Sequence, residues 1–231
     1  MQPELQTVNT DYGALEAQAG SQKVLRNTYL LLALTMVPTI AGAYLGVQFA
    51  DVMMASPIIT MVAMLASVIG LQFAIVRYRD SAVGIGLLLL MTFLLGAFLG
   101  PMLNVALQMR NGMQLVGYAA AGTGVIFFGM GTLAATIKRD LAPMGKFLFV
   151  GMIALFVAML ANMFLQIPAL ALTISSLVIV VFSLYLLYDL NRIIRGGETN
   201  YVMATTGVYL SLLNIFSSLL HLLMALGGEK D

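Results

Sequence analysis

Residues 185–220 read YLLYDLNRIIRGGETNYVMATTGVYLSLLNIFSSLL. In this stretch a charged hinge with two glycines joins an apolar run containing Asp189 to a second apolar run carrying Ser211 and Asn214. A carboxylate within a membrane-length helix is costly, and it normally faces a protein interior or a water-filled cavity. Asp189 is therefore a candidate pore-lining or proton-sensing residue, with Ser211 and Asn214 as the polar groups expected opposite it.

A second interpretation of Asp189 is purely structural. Arg192 follows three residues later, so the two side chains could form an ion pair on one helix face at the membrane surface. Exposed pairs of this kind usually contribute little to stability. The residues alone leave both interpretations open.

The composition indicates a membrane protein. Of the 231 residues, 61% are hydrophobic and only 9% are charged, whereas a soluble domain carries about 25% charged residues. A net charge of +1 argues against a nucleic-acid partner, because duplex binding uses many phosphate contacts. Cysteine is absent, which excludes disulfides and thiolate sites. The 17 methionines are expected to fill gaps in the core rather than to bind copper.

Seven apolar stretches, uncharged apart from Asp189 in the sixth, are each long enough to span a hydrocarbon core of about 30 Å as a helix. The polar first residues, 1–22, are expected to form a flexible cytoplasmic tail, and residues 23–231 the seven-helix transmembrane domain. The sequence thus predicts an all-α integral membrane protein. The predicted spans are 29–50, 52–76, 82–103, 115–137, 147–165, 169–190 and 203–226.

The distribution of basic residues predicts the orientation. Nine of the eleven lysines and arginines fall on the side of the N-terminus and two on the other side. Because basic residues collect on the cytoplasmic side, we expect a cytoplasmic N-terminus and a periplasmic C-terminus. The nine are Lys23, Arg26, Arg77, Arg79, Lys138, Arg139, Lys146, Arg192 and Arg195, and the two are Arg110 and Lys230.

Local signals add detail to this plan. Gly96 and Gly100 have the small-xxx-small spacing that permits close helix packing. Pro38 and Pro57 fall inside the first and second predicted spans, where kinks are tolerated. In the hinge, Gly196 and Gly197 are expected to end one helix, with Thr199 or Asn200 capping the next.

Nothing in the sequence predicts an enzyme, a cofactor or a metal site. The single histidine, His221, is ten residues from Ser211 on the same predicted helix, about 15 Å by helical rise and too far for a nucleophile and its base. The motif Gly-x-Ser-x-Gly is absent. His221 is expected to cap a polar patch near the outer surface.

Several segments, in order, resemble the Bax inhibitor-1 family of seven-span membrane proteins, and most closely its bacterial inner-membrane members. The similarity extends over about residues 21–220, and it implies a seven-helix bundle in the bacterial inner membrane. The segments are KVLRNTY at 23–29, LGPMLN at 99–104, KRD at 138–140, ANMFLQIPAL at 161–170, GGETNY at 196–201 and YLSLLNIF at 209–216.

The resemblance also implies a partner. The bacterial members that the chain resembles associate with the membrane-bound AAA protease FtsH and its HflK/HflC partners, as both substrate and modulator. The protease engages their cytoplasmic tail, which corresponds here to residues 1–22. Fully extended, a tail of this length reaches about 75 Å.

The wider family implies an alternative function. Some bacterial members are pH-sensitive calcium leaks, in which two aspartates on the sixth and seventh spans share a proton. Asp189 matches the first aspartate, but Ser211 stands where the second would be. A hydroxyl cannot replace the mutual effect of two close carboxylates, so this departure weakens the expectation of a pH-gated leak.

Overall fold

Helices make up all the secondary structure of residues 4–227, the part of the chain that the structure describes, with side chains described from residue 19 onward. The structure is a computed structural model. Its helices are α1 (Glu4–Gln48), α2 (Ala50–Ala55), α3 (Pro57–Tyr78), α4 (Ala82–Phe98), α5 (Gly100–Leu107), α6 (Gly112–Thr136), α7 (Met144–Leu165), α8 (Pro168–Ile194) and α9 (Tyr201–Gly227).

The helices form a seven-span membrane bundle, as predicted. Six of them, α1 from residue 19, α3, α6, α7, α8 and α9, are long and apolar enough to cross a bilayer. The third span is the pair α4 and α5, which is bent by 41° at their junction. Pro101 lies in the first turn of α5, where its missing N–H removes no helical hydrogen bond.

The outward surfaces of the bundle remain apolar. Phe73 is 74% exposed, Phe128 72% and Phe147 81%. An exposed apolar surface of this extent marks contact with a membrane or another protein. Lipid therefore replaces water as the solvent for most of the surface.

The start of the second span differs from the predicted boundary. The second span begins at Pro57 rather than at residue 52, because residues 50–55 form the separate short helix α2. A proline disfavours the α conformation of the residue before it. Ser56, with φ −139° and ψ 69°, is accordingly outside the α region, and the helix is interrupted there. Pro38, by contrast, lies inside a continuous α1, as expected.

The predicted flexible tail, residues 1–22, stays a prediction. Its first three residues lie outside the described residues, and from Glu4 the backbone belongs to α1. A helical backbone does not report motion on any particular timescale. The first turns of α1 continue directly into the first membrane span.

Helix α9 is the central element of the bundle, because it packs against α1, α4, α6 and α8. Its Tyr209 is only 2% exposed. The Tyr209 hydroxyl lies 2.8 Å from the Thr39 hydroxyl on α1 and 3.3 Å from the Thr92 carbonyl oxygen on α4. These bonds satisfy a buried polar group and tie the last span to the first and third.

Helix α1 approaches α4 and the start of α5 backbone to backbone along a seam of glycines, here called the glycine seam: Gly42, Gly46, Gly96 and Gly100. A methyl group added at any of these positions would overlap backbone atoms of the facing helix. Gly96 and Gly100, whose spacing permits close packing, thus lie at such a contact. Small residues let two helix backbones come close enough for favourable dispersion contacts between them.

Three of the interhelical connections meet at one end of the bundle, here called the basic end. The Asn200 side chain donates to Asp80 Oδ1 over 2.7 Å, and Arg195 donates to the Ile137 carbonyl oxygen over 2.8 Å. At the opposite end Asn111 donates to the Gly227 carbonyl oxygen over 2.7 Å. Basic side chains thus gather at one end, while the side of the membrane on which this end lies stays a prediction.

Candidate functional site

The hinge between α8 and α9 fixes the relative position of the two helices that carry the candidate site. Gly196 has φ +74°, a left-handed conformation that glycine adopts without strain. The N–H of Gly197 donates to the Arg192 carbonyl oxygen over 2.8 Å, which closes the end of α8. The predicted helix stop is confirmed.

Asn200 is the residue that caps α9. Its Oδ1 accepts hydrogen bonds from the N–H groups of Val202 and Met203, each over 3.0 Å. Such a cap satisfies donors that have no partner within the helix. Of the two predicted caps, Thr199 and Asn200, the structure selects Asn200.

Asp189 faces α9 from the last two turns of α8, where its side chain is half-buried. A methyl group on Gly207 would lie 2.9 Å from Asp189 Oδ2 and 3.3 Å from its carboxyl carbon. The absence of a side chain at Gly207 therefore lets the carboxylate approach the backbone of α9. The sequence predicted that Asp189 faces the protein interior, but it gave no signal for Gly207 as the opposing residue.

The alternative ion pair between Asp189 and Arg192 is not formed. Within residues 19–227, Arg192 pairs instead with Glu198, Nη2 to Oε2 3.3 Å. Its Nε also donates to the Gly197 carbonyl oxygen over 3.2 Å. The Arg192 guanidinium binds the hinge rather than Asp189, because the hinge provides a carboxylate and a carbonyl oxygen together.

Asp189 forms no salt bridge among residues 19–227, although the Arg192 guanidinium is near enough to interact with it electrostatically. Two carboxylates, Asp189 and Glu198, thus share one guanidinium. These three groups together carry a charge of −1 when both acids are ionised. A carboxylate without a salt bridge is available to a cation or a proton.

Ser211 and Asn214 continue the same face of α9 away from Asp189. Ser211 is one turn beyond Gly207 and only 3% exposed, about 6 Å further along the axis. Asn214 is about 10 Å beyond Gly207 by rise, and its amide donates to the Leu210 carbonyl oxygen over 2.8 Å. Neither side chain is hydrogen-bonded to Asp189 in the described part of the chain. Ser211 therefore lies one helical turn away from the level of Asp189, and Asn214 lies further away.

A buried amide next to the site organises the basic end. Asn191 is fully buried; its amide donates to the Arg139 carbonyl oxygen over 3.2 Å, and its Oδ1 accepts from the Leu141 N–H over 3.1 Å. These two hydrogen bonds attach the α6–α7 connection to helix α8. The sequence analysis missed this role, although an amide two residues after Asp189 in an apolar helix was a visible signal.

His221 lies at the other end of the α8/α9 interface. Its Nδ1 is 2.8 Å from the hydroxyl of Ser175 on α8. The predicted polar patch thus includes a direct partner that sequence spacing did not indicate. Among the described residues, no three His, Cys, Asp or Glu side chains come together as a metal site.

Comparison with known proteins agrees with the fold. The family described as inhibitor of apoptosis-promoting Bax1 matches residues 21–228. The chain is 38% identical to the Escherichia coli K12 protein named modulator of FtsH protease YccA over 205 residues, 88% of this chain and 90% of that protein. A protein of Escherichia coli O6:H1, with the same identity and coverage, is named inner membrane protein YccA.

Two further relatives cover similar shares. A membrane protein of Vibrio cholerae is 39% identical over 214 residues, 93% of this chain and 94% of the relative. A Neisseria meningitidis serogroup A protein is 40% identical over 209 residues, 89% and 92% of the two chains. With its helical bundle and apolar spans, the chain is a multi-pass inner-membrane protein and belongs to the Bax inhibitor-1 family.

Proposed function

We propose that this protein is a regulatory binding protein of the inner membrane that modulates the FtsH protease and is itself one of its substrates. The observation that carries the proposal is the similarity to the named modulator of FtsH, which extends over 88% of this chain and 90% of that relative. Because the similarity to this relative covers nearly the whole chain, it includes both the basic end and the membrane spans. HflK and HflC are the further partners expected in the same complex.

The geometry supports a mechanism in which the N-terminus is the point of capture. At the basic end, Gly20, Lys23 and Asn27 of α1 line a cavity of about 520 Å³ together with Glu198 and Tyr201 of the hinge and α9. The predicted cytoplasmic tail therefore ends beside the hinge. A protease that pulls on this tail would apply its force to α1.

Resistance to that force comes from contacts already described. Helix α1 is held to α4 by the glycine seam and to α9 by the Thr39–Tyr209 hydrogen bond of 2.8 Å. Extraction of α1 must break these contacts before the next helix can follow. A substrate that unfolds slowly occupies the protease and lowers its capacity for other substrates, which is the proposed mode of modulation.

Deletion of residues 1–22 tests the capture step. In cells that contain FtsH, we expect the truncated chain to persist after synthesis is stopped, while the full-length chain decays. Deletion of residues 228–231 at the opposite terminus is the matched control and should leave turnover unchanged. Equal decay of the full-length and truncated chains would contradict capture by the tail, and failure of the full-length chain to co-purify with FtsH would contradict the partnership.

The cation leak remains the second candidate, since Asp189 lies between α8 and α9 without a partner cation among the described residues. In liposomes loaded with a calcium dye, Asp189→Asn should lower the flux by removing the formal charge. Asp51→Asn, at an exposed position, is the control. A flux that is the same for all three proteins would exclude Asp189 as a pore-lining ligand.

A further inference from the structure

A cavity of about 350 Å³ lies between α5, α7, α8 and α9, toward the end of the bundle opposite the basic end. Three methionines, Met102, Met159 and Met163, line it together with His221 and Ser175. His221 is the single histidine of the chain. We name this site the methionine cavity.

The sulfur ligands come from two helices. Met159 and Met163 are four residues apart and share one face of α7, while Met102 reaches the cavity from α5. Methionine has three rotatable bonds and adapts its thioether to an irregular space, so the sulfurs can converge on a small guest. No aspartate or glutamate is among the described residues that line the cavity.

His221 has a hydrogen-bond partner for one ring nitrogen, as metal-ligating histidines in proteins do. The distance of 2.8 Å from its Nδ1 to Ser175 Oγ is that of a hydrogen bond. In the tautomer whose Nδ1–H donates to Ser175, Nε2 retains its lone pair. A second hydrogen bond of this kind fixes the tautomer and ring orientation of ligating histidines.

From this juxtaposition we propose that the methionine cavity binds a soft monovalent metal ion, Cu(I) or its analogue Ag(I). Thioethers select Cu(I) over harder ions, and imidazole also suits copper. Ca²⁺ and Mg²⁺ prefer oxygen ligands, chiefly carboxylates, and the described lining of the cavity offers none. The site is separate from Asp189 and independent of the proposed action on FtsH.

Competition for Cu(I) tests the proposal. The purified full-length protein in detergent, under reducing conditions, is titrated against the coloured Cu(I) complex of bathocuproine disulfonate. We expect it to withdraw Cu(I) in a one-to-one ratio. The triple variant Met102→Leu, Met159→Leu, Met163→Leu should bind at least about 100-fold more weakly, because loss of even an outer-shell partner typically costs 10–100-fold in metal affinity.

Leucine conserves the volume of methionine, so these variants remove the thioether sulfurs with little change in shape. Met36→Leu is the matched control, since Met36 lines a different cavity between α1 and α6 and should leave the affinity unchanged. His221→Asn should weaken binding at least about tenfold. If the triple variant fails to fold, the Cu(I) affinity of the single variant Met163→Leu provides the test instead.

Two outcomes of the Cu(I) titration would overturn the proposal. One is a wild-type protein that cannot withdraw Cu(I) from the competitor. The other is unchanged affinity in the methionine and His221 variants, which would assign the metal to other residues. Stoichiometric binding of Ca²⁺ abolished by Met163→Leu would also contradict it, because a thioether does not select that ion.

Discussion

Substitution of Gly42 by alanine probes the contact on which the first span depends. The new methyl group would lie 2.9 Å from the Phe93 carbonyl carbon and closer still to the oxygen bonded to it. Real Cβ atoms essentially never come within 3.0 Å of such neighbours. Both surfaces are helix backbone, so no flexible side chain can move aside and α1 must separate from α4.

The magnitude follows from two opposing effects. Overpacking of a well-packed contact costs about 1–3 kcal/mol, and a backbone-to-backbone contact with no rotamer to adjust belongs at the upper end. Alanine regains about 1 kcal/mol through its higher helix propensity. We therefore expect Gly42→Ala to lower the free energy of unfolding by about 2 kcal/mol.

Gly86→Ala is the matched control, because Gly86 is on α4 and a methyl group there meets nothing within 4 Å. This variant should be neutral or more stable by up to about 1 kcal/mol. Titration with SDS in mixed micelles measures both free energies. Gly42→Ala should also decay faster in cells containing FtsH, since α1 is then held less firmly. Equal stability of the two variants would refute the glycine seam as a stabilising contact.

Two further substitutions test contacts of the basic end and of the central helix. Asn191→Ala leaves the Leu141 N–H and the Arg139 carbonyl oxygen of the α6–α7 connection without their side-chain partner. We expect a loss of about 1–3 kcal/mol and faster protease cleavage within residues 138–143, and a chain that stays uncut would contradict this. Tyr209→Phe removes the hydroxyl that bonds to α1 and α4. It should lower the free energy of unfolding by about 1 kcal/mol, measured in the same micelles. A variant as stable as the wild type would show that these hydrogen bonds do not stabilise the bundle.

The fold was predictable because the bilayer restricts the choices. A segment that crosses hydrocarbon must satisfy its backbone groups internally, so long apolar runs could only be helices, and six of them are single helices. Boundaries were less certain where short polar breaks occur. Residues 50–55 form a separate helix before Pro57, although hydropathy alone assigned residues 52–55 to the second span.

The candidate site was predictable only in part. A lone acid in an apolar run marked Asp189 as interior, because exposure of a carboxylate to lipid is costly. Its opposite residue, Gly207, and the pairing of Arg192 with Glu198 depend on the path of the hinge. Sequence spacing along one helix cannot give contacts between helices, which is also why the partner of His221, Ser175, was not identified.

Inhibition of FtsH in reconstituted membranes tests the central claim most directly. FtsH and a labelled membrane substrate are placed in vesicles with ATP, and the rate of substrate cleavage is measured without this protein, with the intact chain, and with the chain lacking residues 1–22. The intact chain should slow cleavage while being consumed slowly itself, and the truncated chain should have no effect. Cleavage that proceeds at the same rate in the presence of excess intact chain would contradict its role as a modulator of the protease.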